Sequence, residues 1–128
     1  MKEPTEYLEA TKLKIVASPI ISHYEIIKER ATSTDGYIRI RMTLVNEDYL
    51  EVSEYFERTP SGIKTVDYRY QWMDASKNLR CRWDNAPHHP ELDNSPHHIH
   101  QNSEHNVISG KILSISLVLD IIEVSLPR

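Results

Sequence analysis

Between Cys81 and His105 the chain reads C-R-W-D-N-A-P-H-H-P-E-L-D-N-S-P-H-H-I-H-Q-N-S-E-H, and six of its seven histidines lie there: His88, His89, His97, His98, His100 and His105. Asp84, Asn85, Glu91, Asp93 and Glu104 stand among them. Imidazoles titrate near neutrality, so the stretch can move protons at physiological pH. Pro87, Pro90 and Pro96 each fix their own φ and push the preceding residue toward extended backbone, which excludes a helix through the segment.

Three chemistries compete for these residues. The first is general acid–base cleavage of RNA. One group takes the 2′-hydroxyl proton, another protonates the leaving 5′-oxygen, and arginine offsets charge on the phosphorane. DNA lacks that hydroxyl and would shift the reading toward a metal. The second is a divalent metal such as zinc, with His88, His97, His98 and His100 as candidate ligands and Asp84, Glu91 and Asp93 as carboxylates nearby. Adjacent histidines on an extended chain point oppositely, so at most one of each pair enters a given site. No H-E-x-x-H or cysteine–histidine finger occurs, so nothing selects the metal. The third is a polar surface loop, with Asp84-Asn85 turning the chain through side-chain bonds to backbone.

The elements that must position this stretch read as follows. A short helix is predicted over 5–17, with Leu8, Lys12, Ile15 and Val16 near one face and Pro4 in its first turn. From Ile20 the period changes to two, and a meander is predicted over 20–84. Its first strand puts Tyr24 and Ile26 on the face of Ile20, and Asp35-Gly36 signals a turn. In the second strand Ile38, Ile40, Met42 and Leu44 point inward. The third puts Leu50, Val52 and Phe56 on one face, with Glu54 among them. A carboxylate there must be paired or functional, or the strand bends to give it solvent. The fourth sends Val66, Tyr68, Tyr70 and Trp72 one way, and the fifth sends Leu79, Cys81 and Trp83 inward. The outward set then includes Arg39, Arg41, Arg69, Arg80 and Arg82, which could hold a phosphate backbone, with Glu51, Glu57 and Asp67 interspersed as on an ordinary charged surface. A His/Pro-rich loop is predicted over 85–106. The apolar segment at 111–124 fits a helix through Leu113, Leu117, Ile121 and Val124, although its β-branched content equally allows a sixth strand. The expected fold is α+β: a curved antiparallel meander of about five strands with N- and C-terminal helices on one face, as a single domain of 1–128.

Composition bounds the rest. With 128 residues, 39% apolar and 27% charged, the chain can bury a core. A net charge of −4 gives no global attraction for nucleic acid, so any such contact needs a local patch. One cysteine, no membrane-length apolar run and no signal-peptide core point to a cytoplasmic setting without membrane contact.

The run R-W-D-N-A-P-H-H-P-E-L-x-N-x-P-H-H-I-H over 82–100, with V-S-E-Y at 52–55 and Y-R-Y-Q-W at 68–72, resembles the TumE family of toxin components. The resemblance covers roughly residues 20–105. It implies a small toxin encoded beside a helix-turn-helix antitoxin and acting on RNA. By position it picks out Glu54, Tyr68, Arg69, Tyr70, Arg82, Asp84, Asn85, His88, His89, Glu91, His97, His98 and His100. The terminal segment is more apolar than the charged helix of that family. Together these readings lead to an RNA-cleaving toxin that uses no cofactor. His88 and His97 serve as base and acid, Arg69 and Arg82 hold phosphate, Glu54 orients a histidine or arginine, and Arg39 and Arg41 bind substrate. The rivals are a metal-dependent nuclease and a non-catalytic metal- or partner-binding module.

Overall fold

The computed structural model describes residues 3–87, 89–111 and 113–126. The chain is α+β, with two helices on one face of an open seven-stranded antiparallel sheet. Strand order follows the sequence, β1 to β7, so every neighbour is joined by a local connection. No helix among the described residues is long and apolar enough to cross a membrane.

Helix α1 (Pro4–Ala17) starts with Pro at its first position and with the Glu3 amide donating to Glu6 Oε1 at 3.1 Å. It buries Pro4, Leu8, Thr11 and Ile15; Val16, expected on that face, is exposed. Strand β1 (Ile21–Ala31) is an edge. Its Tyr24 and Ile27 are exposed, and two bulges together with the charged Glu25, Lys28, Glu29 and Arg30 discourage further pairing. Strand β2 (Asp35–Leu44) buries Ile38, Ile40, Met42 and Leu44 as the alternation predicts. The β1–β2 turn lies at Thr32–Thr34, not at Asp35-Gly36. Gly36 is instead required inside β2, where a Cβ would meet the Phe56 ring at 2.4 Å.

Strands β3 (Tyr49–Thr59), β4 (Gly62–Met73) and β5 (Leu79–Asp84) complete the expected five. Two more strands follow, one inside the 85–106 segment predicted to be loop and one just beyond it. β6 (His98–Gln101) pairs with β5, and β7 (Val107–Ser109) pairs with β6. The prolines confine irregular backbone to the residues before His98. Beyond Pro96 the H-I-H-Q run alternates, and the open edge of β5 supplies backbone partners. Ile99 packs on the core beside Trp83 while His98 and His100 take the other face.

Helix α2 (Ile115–Ser125) confirms a helix at the C-terminus but turns a different face inward. Ile115, Val118, Leu119 and Ile122 are buried, whereas Leu117, Ile121 and Val124 are exposed. Ser114 sets this phase by capping the Leu117 amide at 3.3 Å, so Ile115 enters the core at the first turn. The core lies between the helices and one sheet face, with Tyr70, Phe56 and Ile38 fully enclosed. Cys81 flanks it, and burial pushes its thiol up to about 12, which makes it unreactive at neutral pH.

Candidate active site

The register lays two rows of side chains across the outer face of the sheet. One row runs Arg39, Ser53, Arg69, Asp84, His98 from β2 to β6; the next runs Arg41, Glu51, Gln71, Arg82, His100. Because side chains alternate and strands pair without crossover, residues far apart in sequence become neighbours about 4.8 Å apart. The part of the rows from Ser53 and Arg69 to β6 lines a cleft of about 510 Å³ whose walls include Tyr37, Tyr55, Arg69, Asp84, His89 and His98.

Asp84 is the centre. It is buried, and its Oδ1 lies 2.8 Å from His98 Nε2, while Oδ2 lies 3.6 Å from His100 Nε2 and 3.1 Å from Arg82 Nε. Oδ1 also accepts the Ala86 amide at 3.0 Å, the chain-turning bond expected of Asp84. Arg82 grips Glu104 with both terminal nitrogens, at 2.5 and 2.6 Å. That bidentate pair holds Glu104 below the usual carboxylate range and Arg82 above its own. Arg82 is only 9% exposed, so it is a buried clamp rather than a solvent-facing phosphate hand. His98 Nδ1 donates to Pro96 O at 2.9 Å and His100 Nδ1 to Glu104 O at 3.0 Å. Burial, ahead of every other influence, pushes His100 below its usual value. His89, from the Pro-rich segment, closes the cluster with its ring 4.9 Å from that of His98.

The remaining expected site residues divide sharply. His88 lies outside the described residues. His97 is turned to the opposite face, where it stacks on Tyr68 and its Nδ1 lies 2.8 Å from the Tyr68 hydroxyl. Burial and then the neighbouring His98 push His97 below its usual value. Glu54 meets neither a histidine nor an arginine. Its carboxylate accepts from Tyr7, from Tyr70 at 2.6 Å, from Thr65 at 3.3 Å and from the Ile115 amide at 3.3 Å. Burial nevertheless pushes Glu54 up, against the pull of those donors. Tyr68 and Tyr70 are likewise raised by burial. Asn85 ties β5 to β4, donating to Val66 O at 2.7 Å and accepting the Tyr68 amide at 3.0 Å. Glu91 sits 3.4 Å from His89 Nδ1.

Among the five arginines read as one outer patch, Arg80 is drawn to the buried Asp48 at 2.8 Å, beside the Trp72 ring. A bulge at Arg80, opposite Trp72 and Met73, leaves Arg80 without a cross-strand partner. Arg41 pairs with Glu51 at 3.1 Å. Among the described residues Arg69 hydrogen-bonds the neutral Gln71 at 2.8 Å, and neither Arg69 nor Arg39 has a carboxylate within ion-pair distance. Two site residues escaped the sequence reading as participants: Glu104, whose role depends on β6 returning beside β5, and Tyr55, which the outward alternation of β3 places on the cleft wall.

No curated protein and no solved structure matches the chain significantly. The model of one family, described as Toxin TumE, matches residues 11–126, from within α1 to the end of α2, and the chain belongs to that family of toxins.

Proposed function

We propose that this toxin acts by cleaving RNA in the outer-face cleft, with the Asp84–His89–His98–His100 cluster as the reactive centre. The observation that carries the reading is the convergence of two imidazoles, His98 and His100, on one buried carboxylate, with His89 beside them and an arginine, Arg69, that makes no ion pair among the described residues. Phosphodiester cleavage requires activation of the attacking hydroxyl, neutralisation of growing negative charge and protonation of the leaving oxygen. Within the imidazole cluster one neutral ring can take the proton of the attacking hydroxyl and a second, protonated ring can supply one to the leaving oxygen. Arg69, one strand spacing from Asp84, is placed for the reacting phosphate. Arg39 lies four spacings, roughly 19 Å, from His98 and reaches flanking phosphates instead. Tyr37 and Tyr55 on the cleft wall offer rings for bases of a single strand. The net charge of −4 fits a substrate held by this local track, not by global attraction.

Membership of a toxin family implies an antitoxin partner in general. A helix-turn-helix antitoxin that covers the cleft would hold the activity off. Incubation of purified chain with total cellular RNA, with and without EDTA, tests the enzyme. Fragments that vanish in Asp84→Asn support it, and RNA left intact under both conditions overturns it.

A further inference from the structure

Every histidine of the cluster has one ring nitrogen already committed. Nδ1 of His98 faces Pro96 O at 2.9 Å, Nδ1 of His100 faces Glu104 O at 3.0 Å, and Nδ1 of His89 faces Glu91 Oε1 at 3.4 Å. These oxygens accept and cannot donate, so each Nδ1 carries the hydrogen and each Nε2 carries the lone pair in the neutral ring. That is how proteins orient imidazoles as metal ligands: an acceptor behind the ring fixes the tautomer and aims the other nitrogen.

Two of the Nε2 atoms, those of His98 and His100, are aimed at negative charge. His98 Nε2 lies 2.8 Å and His100 Nε2 3.6 Å from the two oxygens of Asp84. Lone pairs set against a carboxylate repel unless positive charge lies between them. A proton on His98 relieves one of these contacts. A divalent cation relieves all of them together. Three carboxylates, Asp84, Glu91 and Glu104, surround the cluster and outnumber the two guanidiniums, Arg69 and Arg82.

We infer that His89, His98 and His100, with Asp84, form a binding site for one divalent transition cation of the zinc type. Three nitrogen donors and one carboxylate suit such an ion, whereas magnesium and calcium prefer all-oxygen surroundings. One coordinating atom from each histidine lies within 4.8 Å of the others. Zinc–nitrogen bonds of about 2.0–2.1 Å would bring them to roughly 3.3 Å. His98 and His100 are held on β6, two residues apart on one face, so the closing movement falls to His89 in the irregular segment. The site rests on the RNA-cleaving reading for its purpose, which would be activation of a hydroxyl by coordination, but not for its existence.

Chelator-stripped protein made without a histidine tag should be titrated with Co²⁺ and followed by visible absorption, and with Zn²⁺ by calorimetry. The expected result is one equivalent bound, with the absorption bands of a four-coordinate cobalt site. His89→Ala, whose side chain is partly exposed, should weaken binding at least about 100-fold with unchanged melting. His97→Ala should leave it unchanged. Sub-stoichiometric binding, or binding undiminished in His89→Ala, overturns the site. RNA cleavage by stripped protein that binds no metal removes the metal and leaves the ribonuclease standing. Stoichiometric metal with intact RNA removes the ribonuclease and leaves the metal site standing.

Discussion

Two carboxylates are buried on opposite faces of the same sheet, and their surroundings differ in kind. Glu54, on the core face, accepts hydrogen bonds from three hydroxyls and a backbone amide, all of them neutral. It joins β3 to both helices and to β4. Asp84, on the outer face, is ringed by a guanidinium and two imidazoles and borders an open cleft. Burial alone therefore does not distinguish the two. Their partners do: those of Asp84 titrate or carry charge, and those of Glu54 are neutral. A network of neutral donors rigidifies; a network of charged and titratable ones can also respond to a ligand.

The comparison breaks most clearly at Asp84. Asp84→Asn should lower single-turnover RNA cleavage at least about 100-fold, since it removes the charge that orients His98 and holds Arg82. Wild-type rates in that variant would place the chemistry elsewhere. Glu54→Ala should act on the other axis, costing about 3 kcal/mol of stability through orphaned Tyr7 and Tyr70 hydroxyls and a cavity, with cleavage per folded molecule unchanged. Urea unfolding paired with active-site titration separates the two effects. A drop in turnover without a drop in stability would reverse the roles assigned here.

Arg69→Ala should weaken RNA binding about tenfold and reduce the salt slope of binding by about 1, with stability within about 0.5 kcal/mol of wild type. A salt slope identical to wild type means Arg69 touches no phosphate. The Glu54 side also carries a pH signature. Its folded pKa is raised by burial, so its contribution is complete below the ordinary carboxyl range and is lost as pH rises through the folded value. As pH rises from 4 to 7 the stability of wild type relative to Glu54→Gln should therefore fall. An opposite trend in paired denaturant midpoints would show that the four donors hold the carboxylate ionised. The smallest expected effect is at His97, next to His98 in sequence but on the other face. His97→Ala should keep cleavage within about twofold, and a large loss would move the reactive centre to the Tyr68 side.

Much of this was legible in the chain. Alternation placed Ile38, Ile40, Met42, Leu50, Val52 and Phe56 in the core, because residues two apart on a strand share a face whatever packs against them. The same alternation exposed Glu54 as an acid in an apolar row and marked 81–105 as the chemically dense stretch. The phase of α2 was not legible, because its apolar residues are numerous enough to support two helical faces, and the Ser114 cap chose between them.

What the sequence determined by itself is local: period, turn chemistry, the stiffening of 85–97 by proline, and the concentration of imidazoles. Which imidazoles lie together was decided only in three dimensions. β6 is four residues long and gains its backbone partners from the edge of β5, so its register is a long-range choice. That register sets His98 and His100 on the face of Asp84 and turns His97 away. It also brings Glu104 back to Arg82, closing a cluster whose members are separated in the chain and adjacent on the sheet.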